Sequence, residues 1–367
     1  MSDRQGRPAA KHDPRPVLIT GGAGFVGTNL ADRLCRAGQP VTVFDNLSRP
    51  GVERNAAWLR ATHGDLVQIE TADIRDARAV GAAVAGASAV FHFAAQVAVT
   101  SSLVSPVHDF EVNARGTLNV LEAVRARGGD APPVVFTSTN KVYGGLEDVE
   151  FRLRGDRYEP CDDTLRARGI AENRPLDFYS PYGCSKGAAD QYVLDYARTF
   201  GLRATVFRMS CIYGPHQCGT EDQGWLAHFL IQALHGRPVT LYGDGKQVRD
   251  VLFVDDLVDA FLLALERADA LSGRAFNLGG GVGNTTSLLE LLEEIETLHG
   301  RAPALRRDDW RPGDQRYYVS DFSRFREATG WTPRVAMREG TALLYHWLRE
   351  HHAAPAPAET HAAAVLA

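Results

Sequence analysis

Pro16-Val-Leu-Ile-Thr20-Gly-Gly-Ala-Gly24-Phe-Val-Gly27 is the stretch that decides the fold. The apolar run 16–20 reads as a short buried strand, and glycines follow it at once in the order Gly21, Gly24, Gly27. Each glycine has its own task in such a turn. Gly21 makes the bend, Gly24 lets backbone approach a pyrophosphate, and Gly27 permits close helix–strand packing. Residues 25–37 then read as a helix with Val26, Leu30 and Leu34 on one stripe. Phe25 and Val26 open that helix, where unpaired amides and the positive dipole end favour an anion.

Outward from this unit the pattern repeats. Apolar segments 41–44, 66–70, 89–93, 134–137 and 204–208 read as buried strands, with helices at 76–85, 109–126 and 180–200 between them. The alternation predicts an α/β protein: a Rossmann-type doubly wound parallel sheet followed by a smaller C-terminal α/β substrate domain. Past residue 209 the alternation breaks, and Gly243-Asp-Gly245 and Gly279-Gly-Gly281 separate helices at 224–234, 254–265, 287–298 and 320–328. The expected division is 16–208 for the dinucleotide-binding part, with returning segments at 251–277 and 318–322. Residues 209–250 and 278–350 form the substrate part. The Pro/Arg-rich 1–15 and Ala/Pro-rich 352–367 read as disordered tails.

Composition narrows the class. The 367 residues are 44% hydrophobic and 23% charged, with net charge −5, which offers no electrostatic case for nucleic acid or an anionic membrane. Five scattered cysteines without C-x-x-C, and twelve histidines without H-x₃-H, predict reduced thiols and no metal site. No apolar run reaches membrane-spanning length, and the N-terminal stretch lacks the apolar core of a secretion signal, so a cytoplasmic protein is expected.

Around the glycine turn further residues complete a dinucleotide site. Asp45, beside Asn46 at the end of the second strand, is placed to hold an adenosine ribose diol and to repel a 2′-phosphate. NAD rather than NADP follows, with Arg49 as the opposing feature. Asp73 and Ile74 after the third strand lie toward the adenine, and the small Ala94 and Ala95 close the fourth strand where a ribose needs backbone approach.

The helix expected at 180–200 carries the chemistry. Ser180 is a good N-cap, Pro181 suits the first helical position, and Gly201 ends it. Tyr182 and Lys186, four residues apart, share one helical face. A phenol with pKa near ~10 needs a neighbouring cation to act as a base at neutral pH. Thr139, at the carboxyl end of the 134–137 strand, is placed to bridge a substrate alcohol to that phenol. The three make a set for removing a proton from an alcohol while a hydride leaves its carbon.

The glycine turn, the Thr139/Tyr182/Lys186 set and Asn113-x-x-Gly116-Thr117 together resemble the extended short-chain dehydrogenase/reductase family, which remodels nucleotide-activated sugars. Segments HFAAQVAVTSSL (92–103), STNKVYG (138–144), EDQGW (221–225) and GDGKQVRDVL (243–252) are similar to its CDP-paratose (CDP-tyvelose) 2-epimerase branch. The resemblance implies tightly held NAD, Asn113 at the cofactor, and a CDP-hexose substrate. It also implies substrate contacts from Gln96, Asn140, Lys141, Gln223, Trp225, Arg249 and Arg311. The two guanidiniums suit a diphosphate. Sugar-nucleotide 4,6-dehydratases follow the corresponding threonine with Asp-Glu, the acid and base of elimination. Asn140-Lys141 cannot replace that pair, and dehydratase and decarboxylase chemistries are disfavoured. Inversion at carbon 4, another nucleotide, a net oxidoreductase and an NAD-sensing regulator remain the alternatives. Tyr179, His216 and Cys218 depart from the family pattern near the sugar-nucleotide motifs and are expected to bear on specificity. The resemblance also implies a homodimer or homotetramer formed through helices 109–126 and 180–200.

Overall fold

The computed structural model describes residues 14–311 and 313–351. The tails expected at 1–15 and 352–367 therefore lie outside the described residues, apart from 14 and 15. Seven strands form one all-parallel sheet: β1 Val17–Thr20, β2 Val41–Asp45, β3 Val67–Thr71, β4 Ala89–His92, β5 Val134–Thr139, β6 Ala204–Met209 and β7 Arg274–Leu278. Their order is β7-β6-β5-β4-β1-β2-β3. The chain reverses direction across the sheet between β1 and β4, and in open parallel sheets the crevice at such a switch point is where ligands bind.

Both faces are covered, which is why the inner strands β1, β4, β5 and β6 are almost wholly buried, whereas the edge strand β3, VQIET, alternates. On one face the helices Phe25–Arg36, Val52–His63 and Val254–Glu266 bury Leu30, Leu59 and Phe261 against Val43 and Phe91. On the other, Ala77–Ala85, Gly116–Arg125 and Ser180–Phe200 bury Val80, Leu121 and Val193 against Phe136 and Val206. A third core lies outside the sheet, where Trp225–Leu234, Leu288–His299 and Met337–His351 bring together Leu230, Ile295 and Leu344. Beside it the strand Val248–Phe253 collects short partners: Cys211–Tyr213 and Tyr317–Tyr318 in parallel, Thr285–Ser287 antiparallel. A hairpin, Phe151–Arg154 with Arg157–Pro160, has no signal in the reading above, nor has the Val52–His63 helix.

Two elements differ from expectation for local reasons. The helix expected at 109–126 is two α-segments, Pro106–Phe110 and Gly116–Arg125, joined by a π-turn at Glu111–Arg115. Within that wide turn Asn113 is buried and Thr117 Oγ1 donates to its carbonyl at 2.6 Å. The helix expected from residue 320 starts at Ser323, because the Ser323 N–H is capped by Asp321 Oδ1 at 2.9 Å and Ser320 pairs with Ile170. Ser180 begins its helix with φ +71 and its Oγ accepts the Gly183 N–H at 3.3 Å, so it does the work of a cap from the first helical position.

Candidate active site

One cavity of roughly 810 Å³ runs from the glycine turn across the carboxyl ends of β1, β4 and β5 to the helix Trp225–Leu234. Gly21, Gly24, Phe25, Val26 and Gly27 line its first part, with Asp45, Asn46, Asp73 and Ile74 beside them. A Cβ on Gly21 would meet the Ala94 nitrogen at 2.6 Å, and one on Gly27 the Gly22 Cα at 2.5 Å, whereas at Gly24 only the Gly21 carbonyl lies near, at 3.1 Å. Gly21 and Gly27 are thus packing glycines, and Gly24 leaves the approach to the helix end open. That helix has no side-chain cap and no acidic residue in its first turn, which leaves its positive end for an anion. Asp45 accepts the Ala23 N–H at 3.1 Å and the Leu47 N–H at 2.9 Å, which fixes its carboxylate at the cavity edge. Burial pushes that carboxyl up, while the amides and Arg49 oppose the rise.

The middle of the cavity is lined by Ala94, Ala95, Gln96, Thr139, Asn140, Lys141, Tyr182 and Lys186. Thr139 ends β5 and caps the turn Asn140–Tyr143, its hydroxyl accepting the Lys141 N–H at 3.2 Å. The same hydroxyl favours ionisation of the nearby Tyr182 phenol. Lys186 Nζ donates to the Thr137 carbonyl at 2.6 Å and lies 4.3 Å from the Phe136 ring centre. Burial pulls this ammonium down to about 7, against Asp190 and Asp109, which favour the charge. The phenol of Tyr182 is pushed up to about 12, chiefly by burial and further by Asp109, with the Thr139 hydroxyl opposing. Lys186 is not among the groups that shift this phenol, so the lowering expected from it is absent from the protein by itself, where desolvation of the anion dominates.

Lys141 Nζ donates to the Gly313 carbonyl at 2.9 Å, and burial together with Arg249 brings it down to about 8. Gln223, Trp225, Arg249 and Arg311 line the far end. Arg249 is buried, bonds the Val248 carbonyl at 2.8 Å, and has no salt bridge among the described residues. Arg311 lies 3.6 Å over the Tyr242 ring and is flanked by Glu221 and Asp222 at 3.9 and 3.8 Å. Trp225 donates its indole N–H to Cys211 Sγ at 3.4 Å, with one side of the residue in the cavity.

Four residues fall elsewhere. Asn113 does not line the cavity; its carboxamide binds the Gln96 backbone, Asp109 and Ser185, so it stands behind the wall it was expected to form. His216 lies between Trp58 and Trp347, with ring centres 4.2 and 5.0 Å away. Cys218 packs against Gly51 and Arg54. Tyr179 is half exposed, its ring against Gly313. All three departures from the family pattern therefore sit outside the cavity lining, since packing against Trp58 and Trp347, against Gly51 and Arg54, and against Gly313 takes their side chains. Conversely, Ser138, Gln217, Gln247 and Tyr242 line the cavity and were not singled out. Ser138 Oγ, Gln217 Oε1 and Gln247 Oε1 are buried without a partner among the described residues. Only Ser138 had a local signal, the hydroxyl preceding Thr139.

Open backbone at Gly24, a fixed carboxylate at Asp45 and unpaired buried oxygens fit a dinucleotide with a polar second ligand. The class this defines is a nicotinamide-dependent enzyme acting on an alcohol carbon. The chain belongs to the NAD dependent epimerase/dehydratase family, which residues 17–279 match. It is 42% identical over 338 residues to the CDP-paratose 2-epimerase of Salmonella typhi, covering 90% of this chain and 98% of that one. Among solved structures, UDP-glucose 4-epimerase of Thermus thermophilus in complex with NAD is 33% identical, with a TM-score of 0.75 over 91% of this chain and 99% of that one. The UDP-glucose 4-epimerase of Thermotoga maritima with UDP-glucose is 30% identical, with a TM-score of 0.77 over 92% and 99%. Among the described residues no group of three or more His, Cys, Asp or Glu side chains could hold a metal, and no helix is long and apolar enough to cross a membrane.

Proposed function

We propose that this chain is a nucleotide-sugar epimerase that inverts carbon 2 of a CDP-linked hexose through a transient 2-keto sugar. The observation that carries the reading is the composition of the cavity's middle: Thr139, Tyr182 and Lys186 together, with Asn140-Lys141 next to Thr139 in place of any carboxylate. Such a site can take a proton from an alcohol and return it, and it lacks a carboxylate pair for eliminating water. Similarity to the Salmonella typhi enzyme supports carbon 2 and CDP.

In this reading Tyr182 removes the C2 hydroxyl proton, with the Thr139 hydroxyl as the bridge. NAD, when bound, would supply a reversible hydride acceptor for carbon 2 and a positive charge favouring the Tyr182 phenolate. Lys186 holds the nicotinamide-side ribose. Gly24, Phe25 and Val26 hold the pyrophosphate and Asp45 the adenosine ribose diol. Ser138 Oγ, buried and unpaired, is a further donor toward the ring. Arg249 and Arg311 neutralise the substrate diphosphate, while Gln96, Asn140 and Lys141 orient the hexose and Gln223 and Trp225 the nucleoside.

The parallel sheet with its helices serves the cofactor, and the part around Val248–Phe253 and Trp225–Leu234 serves the sugar nucleotide. A homodimer through the helices at 106–125 and 180–200 belongs to the same proposal, supported by the exposed Val107, Phe110, Tyr192 and Phe200 on them. Light scattering behind size exclusion tests it.

The activity test is incubation of the purified protein, without added NAD, with CDP-, UDP- and GDP-hexoses, each ring carbon being read by NMR. Inversion at C2 of a CDP-hexose is expected. Inversion at C4 alone moves the reading to a 4-epimerase, and turnover only with added NAD to a net oxidoreductase. Deuterium placed at C2 is expected in the inverted product, and its complete loss to solvent excludes hydride return.

A further inference from the structure

Lys186 and Asp109 are both buried, and neither belongs to a salt bridge among the described residues. They lie on facing elements. The Asp109 carboxylate accepts from Ser185 Oγ, the residue next to Lys186 on the catalytic helix. It also accepts from Gln96 Nε2 at 3.1 Å and Asn113 Nδ2 at 3.2 Å. Gln96 lines the cavity, and Asn113 Oδ1 holds its backbone N–H at 2.9 Å. One carboxylate thereby ties the cavity wall at Gln96, the π-turn at Asn113 and the helix bearing Tyr182 and Lys186.

The other charged and titratable groups around the lysine are accounted for. Asp190, on the same helix, is spent on Arg208, with two bonds of 2.9 Å. His92 on β4 is neutral, lowered to about 3 by burial and by Lys186 itself. Tyr143 bonds Arg208, and Tyr182 is an un-ionised phenol. On the Asp109 side stands His108, whose charge would favour the carboxylate. A buried cation needs compensating charge. Burial pushes the Asp109 carboxyl up, while Ser185, Lys186, His108 and Asn113 favour its ionised form, and it is the neighbouring carboxylate that is in no salt bridge among the described residues.

We infer that Asp109 is a positioning residue that serves as the through-space counterion of Lys186 and, through Ser185 and Gln96, sets the register of the catalytic helix against the cavity wall. This rests on the reading of Tyr182 and Lys186 as the reacting pair, yet its test does not need turnover. Asp109 favours the lysine cation and disfavours the tyrosine anion. Asp109→Asn should therefore lower both midpoints, and both limbs of the kcat–pH profile should move to lower pH. A residue with only a packing role would lower the plateau without moving the limbs.

The chain has four lysines, Lys11, Lys141, Lys186 and Lys246, so protein carrying ¹³C in the lysine side chain presents four Cε signals, with Lys186 assigned through K186R. The Lys186 midpoint should fall by about one pH unit in D109N and return toward wild type in D109E. Ser185→Ala, which keeps the carboxylate and removes one bond, should leave it near wild type. An unchanged midpoint in D109N overturns the proposal. A fall in S185A, or in D109E, as large as that expected for D109N also overturns it, and these two variants decide the matter if D109N does not fold. Failure to invert any sugar, with the midpoints moving as stated, would reject the epimerase reading and leave this one standing.

Discussion

Arg208 and Asp190 form a two-pronged ion pair, Nε to Oδ2 and Nη2 to Oδ1 both at 2.9 Å, with side chains 5% and 0% exposed. Arg208 Nη1 also donates to the Tyr143 hydroxyl at 3.1 Å, and that hydroxyl donates to Asn277 Oδ1 at 2.7 Å. The pair thus joins β6, β7 and the helix Ser180–Phe200 one turn beyond Lys186, which keeps the helix from sliding along the sheet. Removing one partner strands a buried charge. Asp190→Ala should cost about 3–5 kcal/mol in urea unfolding. A loss under ~1 kcal/mol would show that water or another group compensates the guanidinium.

Tyr182→Phe keeps the ring that packs in the cavity and removes the hydroxyl proposed as proton acceptor. The turnover number should fall by about 10²–10⁴-fold while NAD content and thermal midpoint stay as in the unaltered protein. Retention of more than a tenth of the activity would move the base to another group.

Arg249 and Arg311 are both offered to a diphosphate, but only Arg311 is already flanked by carboxylates, Glu221 and Asp222. Arg249 has none to surrender. Arg249→Met should therefore weaken binding of a nucleoside diphosphate by about 1.5–3 kcal/mol, and Arg311→Met by less. Isothermal titration with CDP orders the two, and the reverse order would contradict the assignment.

His92 is fully enclosed between Thr20 and Thr117, its Nδ1 at 2.7 Å from one hydroxyl and Nε2 at 2.9 Å from the other. The Thr117 hydroxyl spends its proton on the Asn113 carbonyl, so His92 carries its proton on Nε2 and accepts from Thr20 at Nδ1. Burial first, and Lys186 second, hold the ring at about 3 against an ordinary 6.5. Between these values the unfolded chain binds a proton that the folded chain does not. Stability conferred by this site is full above 6.5 and falls as pH drops toward 3. In His92→Gln the acid slope of stability in that window should flatten by about 1.4 kcal/mol per pH unit, read from urea midpoints at pH 4 to 7. An unaltered slope would assign the acid lability elsewhere, with His216 the next group to examine.

The residues proposed for the cofactor could be singled out in the sequence because their requirements are local. A glycine that must bend, one that must admit a ligand and one that must pack lie within seven residues of a strand, and the carboxylate at Asp45 ends the next strand. The same holds for Tyr182 and Lys186, brought to one side by helical pitch alone. Thr139 needed one more step, since parallel pairing of β5 with β6 runs both strands to the same sheet edge. Asn113, by contrast, was assigned to the cofactor on its motif, and only the π-turn reveals that it faces Asp109 and Ser185 instead.

Composition and spacing along the chain were enough to expect the parallel sheet and to single out the glycine turn and the Tyr182/Lys186 pair that line one cavity, because each depends on residues a few positions apart. Charge and pairing were decided only in three dimensions. No sequence spacing announces that Asp190 is consumed by Arg208 while Asp109 is left for Lys186, or that His216 lies between Trp58 and Trp347 rather than in the cavity. Burial turns Tyr182 and Lys186 away from the charge states proposed for them, and desolvation is a property of the enclosing fold, not of any motif.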